Sequence, residues 1–318
     1  MTEERSKLAM VFPGQGSQSV GMLAALAEAE PSVEETFASA SSVLGYDLWA
    51  VARDGPESEL NRTQVTQPAM LAAGVAVWRV WQRHGGPTPA VMAGHSLGEY
   101  TALVCAGALE LEIAVDLVAQ RGAFMQEAVP EGEGAMAAIL GLDDGAVEAL
   151  CARAADDEVV APANYNAPGQ VVVAGQEAAV ERVLTLAREA GAKRVVPLPV
   201  SVPSHCALMQ PAAGRMAEIL EEVRLRAPAI PVVHNADARE HADPEGVRAA
   251  LTRQLDHPVR WVEVVRAMRR RGAGRMVEAG PGKVLVGLVK RIDRDLLGLP
   301  VFDPATLEQA LGQMQQKG

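Results

Sequence analysis

Five residues, Gly94-His95-Ser96-Leu97-Gly98, carry the strongest chemical signal in this chain. They match G-x-S-x-G, the pattern of a nucleophile elbow, in which a strand turns sharply into a helix with the serine at the apex. A Cβ two residues before or after that serine would clash within so tight a turn, so both positions must be small. The serine takes a strained conformation that pushes its hydroxyl out above the sheet edge. There the unpaired N–H groups and the positive end of the next helix favour a developing oxyanion. The bare pattern arises by chance in many chains. Here an apolar run precedes it and a small-residue helix follows, which is the context the chemistry needs.

A serine needs a base to be nucleophilic at neutral pH. Six histidines are available: His84, His95, His205, His234, His241 and His257. His95 adjoins the nucleophile, but on an elbow its ring points away from the hydroxyl and is expected to pack or hydrogen-bond locally. His205 closes Val200-Ser201-Val202-Pro203-Ser204-His205. The chain is expected to leave a small domain and re-enter a large one there, lining a cleft of the kind that commonly holds a site. His205 ranks first, with His234 and His257 next. No acid stands in an obvious strand-end position, and a backbone carbonyl or an amide side chain could orient the imidazole instead.

The turn Gly14-Gln15-Gly16-Ser17-Gln18 lacks both the Walker spacing and a completed G-x-G-x-x-G, and Gly280-Pro281-Gly282-Lys283 also lacks the Walker spacing. A loop offering the Gln15 backbone N–H to an oxyanion hole is the better reading. Arg121 lies among small and apolar neighbours in Ala119-Gln120-Arg121-Gly122-Ala123-Phe124-Met125. Two readings stay open: an arginine snorkelling from an amphipathic helix, or a bidentate clamp for a substrate carboxylate, which a planar guanidinium suits.

The elements that must position these residues follow from hydrophobic pattern and turn chemistry. Short apolar runs at 8–12 and 90–94 predict buried strands ahead of the two glycine-rich turns, and helices are predicted at 68–82 and 111–129. Between 130 and 199 the order is strand (134–141), helix (143–155), two strands (159–164 and 170–174), helix (177–190) and strand (194–198). That is the split βαβ order of a ferredoxin-like unit. It predicts a small domain at 130–199 inserted between 1–129 and 200–318. A helix from about 204, a strand at 230–234, two further helices, a strand at 275–278 and a final amphipathic helix complete the chain. The alternation predicts a mainly parallel sheet with helices on both faces.

With 318 residues, 49% hydrophobic and 22% charged, the composition is globular. The 3% aromatic content makes the core aliphatic. Neither a secretory signal nor a membrane-spanning run is visible. Cys105, Cys151 and Cys206 suggest neither disulfides nor a metal site, so a cytoplasmic setting is expected. A net charge of -11 counts against nucleic acid or an anionic membrane as partner. An acidic partner would need a local basic patch, such as Lys193 with Arg194, or Lys283 with Lys290 and Arg291. The run Arg266, Arg269, Arg270, Arg271 reads as a solvated helix face.

Taken together, VFPGQGSQ (11 to 18), GHSLGEYTALVCAG (94 to 107), QRGAFMQEAVP (120 to 130), NYNAPGQVVVAG (164 to 175), PVSVPSH (199 to 205), QLDHPVRW (254 to 261) and EAGPGKVL (278 to 285) closely resemble the malonyl-CoA:acyl carrier protein transacylases of fatty acid synthesis. The resemblance implies a hydrolase-like α/β core with a ferredoxin-like insert. It implies Ser96 as nucleophile, His205 as base, the Gln254 main-chain carbonyl as its orienter, Gln15 and Leu97 as oxyanion donors and Arg121 as carboxylate clamp. Val-Pro-Ser before His205 is the form typical of stand-alone fatty acid enzymes and implies malonyl over methylmalonyl. The implied partners are malonyl-CoA and acyl carrier protein, with no cofactor or metal beyond the thioester substrate, and a monomer is the default. The alternatives are a polyketide-pathway acyltransferase, an editing acyl hydrolase of the same fold and, with an intact site least favoured, a non-catalytic binding protein.

Overall fold

A computed structural model describes residues 7–130, 132–199 and 202–315. The domain boundary expected at residue 200 therefore lies outside the described residues, as do Val200 and Ser201 of the run before His205.

The strands in chain order are β1 (Lys7–Phe12), β2 (Val91–Gly94), β3 (Gly134–Leu140), β4 (Val160–Ala167), β5 (Gln170–Gln176), β6 (Arg194–Pro197), β7 (Val232–Val233), β8 (Ala273–Ala279) and β9 (Leu297–Val301). They form two sheets. One has the order β7-β2-β1-β8-β9, and every neighbouring pair in it is parallel. β1 and β2 read as continuous apolar runs because helices cover both of their faces. Alternation along the strand sends Leu8, Met10 and Phe12 to one core and Ala9 and Val11 to the other.

The second sheet has the order β4-β5-β3-β6 and is antiparallel throughout. One face of it packs Ala137, Ile139, Val171 and Val173 against the helices Asp144–Ala154 and Glu177–Glu189. The first of these is N-capped by Asp143, which accepts from the Ala146 N–H at 2.8 Å. The other face, with Met136, Ala138, Val172 and Ala174, packs against Cys206, the residue after His205. Main-chain bonds also tie β4 to the segment just before the helix Trp261–Arg270, through Tyr165 N–H to the Val259 carbonyl and Val259 N–H to the Ala163 carbonyl. The segment carrying the expected base rests on the second sheet through Cys206.

The protein is a mixed α/β structure with a mainly parallel sheet and a second, antiparallel one, as the sequence pattern predicts. Several predicted elements differ in extent: the helix expected from about 204 is a 3-10 turn at Ala207–Met209 followed by a helix only from Gln210, and β4 runs on to Ala167. The helix expected from Pro68 begins five residues earlier and spans Thr63–Arg83 with Pro68 inside it. The strand expected at 230–234 pairs only at Val232–Val233. β9 and the helix Pro304–Gln315 have no counterpart among the predicted elements. Pro300 disguises β9, and it is tolerated because β9 is an edge strand. The arginine run is not a plain solvated face either, since Arg269 bonds Asp293 and Arg271 bonds Glu240.

Two glycines decide whether the elbow closes. A Cβ on Gly94 would stand 1.8 Å from the Gly98 carbonyl carbon, and one on Gly98 would stand 2.1 Å from the Phe12 carbonyl oxygen. Gly214, exposed in the helix Gln210–Glu222, meets nothing within 4 Å. Gly98→Ala is therefore expected to cost at least about 1–3 kcal/mol through overpacking. Gly214→Ala is expected to stabilise by about 0.5–1 kcal/mol through helix entropy. Urea midpoints moving in opposite directions would bear this out, and parallel shifts would contradict it.

Candidate functional site

The site lies at the carboxyl ends of β1 and β2, the edge at which open α/β sheets bind ligands. Ser96 follows β2 with φ 50°, a left-handed conformation forced on a non-glycine residue, and the helix Gly98–Cys105 starts two residues later. The turn after β1 lies against this elbow. A Cβ on Gly14 would meet the His95 carbonyl oxygen at 2.4 Å. That turn is pinned by Gln18, which accepts from the Gly16 N–H at 2.7 Å and donates to Asn61 at 2.8 Å.

His205 Nε2 stands 2.7 Å from Ser96 Oγ, and its Nδ1 stands 2.8 Å from the Gln254 carbonyl oxygen. A carbonyl can only accept, so Nδ1 carries the proton and Nε2 is left as the acceptor for the serine hydroxyl. His205 also has positive φ, 65°, and its own N–H donates to the Leu255 carbonyl. Burial in the first place, and the nearby Arg121 cation in the second, push its pKa down to about 3. The bond to the Gln254 carbonyl opposes them. The imidazole is neutral, and so able to accept a proton, throughout the neutral range.

Arg121 is buried on the helix Leu111–Ala128. The neighbouring Gly122 lets the Thr63–Arg83 helix approach, since a Cβ there would stand 2.7 Å from Gln64 Cα. The guanidinium donates through Nη1 to Gln67 Oε1 at 2.8 Å and through Nη2 to Gln254 Oε1 at 3.0 Å. Nη2 also lies 3.4 Å from Ser96 Oγ. Burial lowers its pKa, yet an arginine stays charged. Among the described residues it forms no ion pair. A buried cation held by two carboxamide oxygens and a hydroxyl lacks the anion that would offset its desolvation.

Gln254 touches every part of this arrangement. Its carbonyl holds His205, its Oε1 holds Arg121, and its Nε2 donates to the Ser96 carbonyl at 2.9 Å. Leu97, at the N-cap of the 98–105 helix, offers an N–H of the kind that has no intrahelical partner. Gln15 is exposed on the neighbouring turn, its side chain 3.4 Å from Thr63.

The structure brings Ser96, His205, Gln254 and Arg121 together and sets the other histidines apart. His234 is buried against Glu99, His257 pairs with Asp256, His241 with Asp237, and His84 with Glu30. His95 packs on the Trp261 ring, as expected, and its hydrogen bond reaches from the elbow to Asn166 Oδ1 on β4 at 2.8 Å, not to a local group. Cys206 is a core residue whose thiol burial pushes up to about 11. Among the described residues no group of three or more His, Cys, Asp or Glu could hold a metal, and no helix is long and apolar enough to cross a membrane. Sequence reasoning missed Gln67, Asn235 and Glu99. Polar side chains within otherwise apolar or glycine-rich runs were the available signal.

Comparison with known proteins gives a concordant picture. Residues 9–317 match the family model described as acyl transferase domain. The malonyl CoA-acyl carrier protein transacylase of Escherichia coli O157:H7 is 56% identical over 306 residues, covering 96% of this chain and 99% of its own. The protein of that name from Bacillus subtilis (strain 168) is 42% identical over 313 residues, 98% of each chain. Among solved structures, a malonyl-transacylase in complex with its type II PKS acyl-carrier protein superposes with TM-score 0.96 at 56% identity, over 97% of this chain and 100% of that one. The malonyl-CoA:acyl carrier protein transacylase from Xanthomonas oryzae pv. oryzae gives 0.95 at 54%, over 98% and 99%.

The depressed His205 pKa has a measurable consequence. Fluorophosphonate labelling of Ser96 is expected to stay level from pH 7 to pH 5, where a histidine at the ordinary 6.5 would lose about 25-fold. Because the Arg121 cation lowers that pKa, Arg121→Gln is expected to raise it and move the acid limb toward neutral pH. A limb that stays in place would show that the two groups are not coupled.

Proposed function

The chain belongs to the acyl transferase domain family, and on that premise we propose that it moves a malonyl group from malonyl-CoA to the phosphopantetheine thiol of acyl carrier protein, in fatty acid biosynthesis. The observation that carries the substrate choice is the buried Arg121 guanidinium without a carboxylate partner, 3.4 Å from the nucleophile. An acyl group bearing its own carboxylate supplies the missing anion. An acetyl group would leave the cation unpaired.

Ser96 Oγ attacks the thioester carbonyl while its proton passes to His205 Nε2, and the Gln15 and Leu97 N–H groups receive the oxyanion. The C–S bond breaks, His205 returns the proton to the CoA sulfur, and malonyl remains as an ester on Ser96. The carrier thiol then gives its proton to His205 and attacks that ester. Ser96 leaves with the proton, and the malonyl thioester departs on the carrier. No step calls for a cofactor. The substrate carboxylate also offsets the Arg121 charge that depresses His205, so a malonyl group makes the base stronger as it binds.

The same reading takes residues 1–129 and 200–318 as a hydrolase-like catalytic domain and 130–199 as a ferredoxin-like insert. The split βαβ order together with the sheet order β4-β5-β3-β6 supports the insert. It also places the enzyme in the cytoplasm as a monomer. The likeness to a transacylase solved with a type II PKS carrier favours a second reading for the acceptor alone, a polyketide carrier protein.

Intact-mass measurement after mixing with malonyl-CoA is expected to show one malonyl adduct, absent in Ser96→Ala and far weaker with acetyl-CoA. Arg121→Ala is expected to lower malonyl transfer about 10–100-fold, the loss anticipated for charge-assisted hydrogen bonds, and to raise acetyl transfer. An unlabelled wild-type protein would sink the proposal, and unchanged selectivity in Arg121→Ala would sink the clamp. Transfer rates to fatty acid and polyketide carriers compared side by side decide the acceptor.

A further inference from the structure

Ser96 is gripped on both sides of its backbone by carboxamides. Gln254 Nε2 donates to its carbonyl, while the Ser96 N–H donates to Asn235 Oδ1 at 2.7 Å. The other end of the Asn235 carboxamide, Nδ2, donates to the Gly94 carbonyl at 2.7 Å. Asn235 thus bridges the two peptide groups that flank the turn. Its orientation is fixed by its partners, because a flipped amide would set oxygen against oxygen and N–H against N–H.

Asn235 follows the two-residue strand β7 and is fully buried. Its main chain is anchored as firmly as its side chain. The Asn235 N–H donates to Glu99 Oε2 at 2.8 Å, and its carbonyl accepts from the Arg260 N–H at 3.1 Å. Glu99 lies three residues after Ser96 and is also fully buried, and its Oε1 is 2.7 Å from His234 Nδ1. A closed circuit results. The helix that leaves the elbow holds the residue that holds the elbow.

We propose that Asn235 is a positioning residue for the nucleophile, holding Ser96 in its left-handed conformation and keeping the Ser96 N–H out of the oxyanion hole, with Glu99 fixing Asn235 in place. The proposal rests on the reading of Ser96 as nucleophile. Left-handed backbone at a non-glycine residue is strained and persists only where its surroundings over-determine it. The Asn235 bridge is that over-determination. It also explains why the hole must draw on Leu97 and Gln15, since the serine's own N–H is already engaged.

The role differs from simple stabilisation in what it leaves untouched. Asn235 bonds neither Arg121 nor His205, so its loss reaches them only through the Ser96 hydroxyl and should leave Gln67 and Gln254 on the guanidinium and the Gln254 carbonyl on the imidazole. In Asn235→Ala the kcat for malonyl transfer is expected to fall about 100-fold, the scale of an ångström-sized misplacement, with KM for malonyl-CoA within about twofold. Fluorophosphonate labelling of Ser96 should slow in proportion, with its acid limb unmoved. Asn235→Ser, which is uncharged and too short to bridge Ser96 and Gly94, serves where the alanine variant does not fold, and it too should lower kcat. Labelling and kcat within about twofold of the parent in either folded variant would overturn the proposal, as would a raised KM at unchanged kcat. A parent that reacts with the fluorophosphonate but not with malonyl-CoA would overturn the substrate reading instead, and the labelling comparison would still decide the role of Asn235.

Discussion

A guanidinium sealed in the protein with no carboxylate beside it is the constraint around which this site is arranged. Arg121 keeps its charge and is buried, so its two terminal nitrogens need acceptors, while the Tyr100 ring lies 5.7 Å from the guanidinium carbon. Gln67, Gln254 and the Ser96 hydroxyl fill that need, and two of the three belong to the reaction centre itself. The nucleophile, the residue orienting its base and the clamp are therefore one hydrogen-bonded unit. Of the groups that satisfy Arg121, only Gln67 stands clear of Ser96.

The fold supplies the rigidity this coupling needs. β1 and β2 are buried on both faces, so the turns that follow them start from fixed points. Gly14, Gly94 and Gly98 then allow backbone to approach backbone more closely than any side chain would permit. His205 comes from a separate part of the chain, wedged where Cys206 packs into the face of the second sheet. Asn166 on β4, meeting His95, ties the same sheet to the elbow. The antiparallel sheet thus forms one wall of the site without contributing any residue of the Ser96–His205–Gln254–Arg121 unit.

The backbone scheme and the sharp turn at Ser96 were legible because they rest on short-range rules. Apolar runs ending in glycine turns mark the buried strands, and G-x-S-x-G encodes a steric requirement that the 1.8 and 2.1 Å approaches at Gly94 and Gly98 make plain. β9 was hidden because an edge strand tolerates Pro300. The residues alone could rank His205 above the other histidines but could not single it out, since 109 positions separate it from Ser96. Family resemblance pointed to the Gln254 carbonyl, but nothing local announces the work of its side chain. Asn235 and Glu99 stand out only as polar residues within apolar or glycine-rich runs, which marks neither one's partner. Their partners lie 139 and 136 positions away, and an asparagine after a short strand reads as an ordinary turn residue.

A main-chain carbonyl stands on His205 Nδ1 where a hydrolase triad would place a carboxylate, the side chains around Ser96 are carboxamides, and the reason is electrostatic. A carboxylate bonded to His205 Nδ1 would strengthen the base, but in this buried space it would also neutralise Arg121 and repel the malonyl carboxylate. Neutral acceptors avoid both effects. Gln254 orients the imidazole through a carbonyl and the guanidinium through an amide oxygen, and Asn235 holds the elbow without adding charge. Glu99, the buried acid of this region, is turned away from the reaction centre and held by His234 and the Asn235 N–H. The site consequently keeps a positive charge and a weakened base, and on the proposed reading both are corrected by the carboxylate the substrate brings. That reading puts discrimination in the acylation step as well as in binding. A group without that carboxylate meets an unpaired cation and a base still held down to about 3.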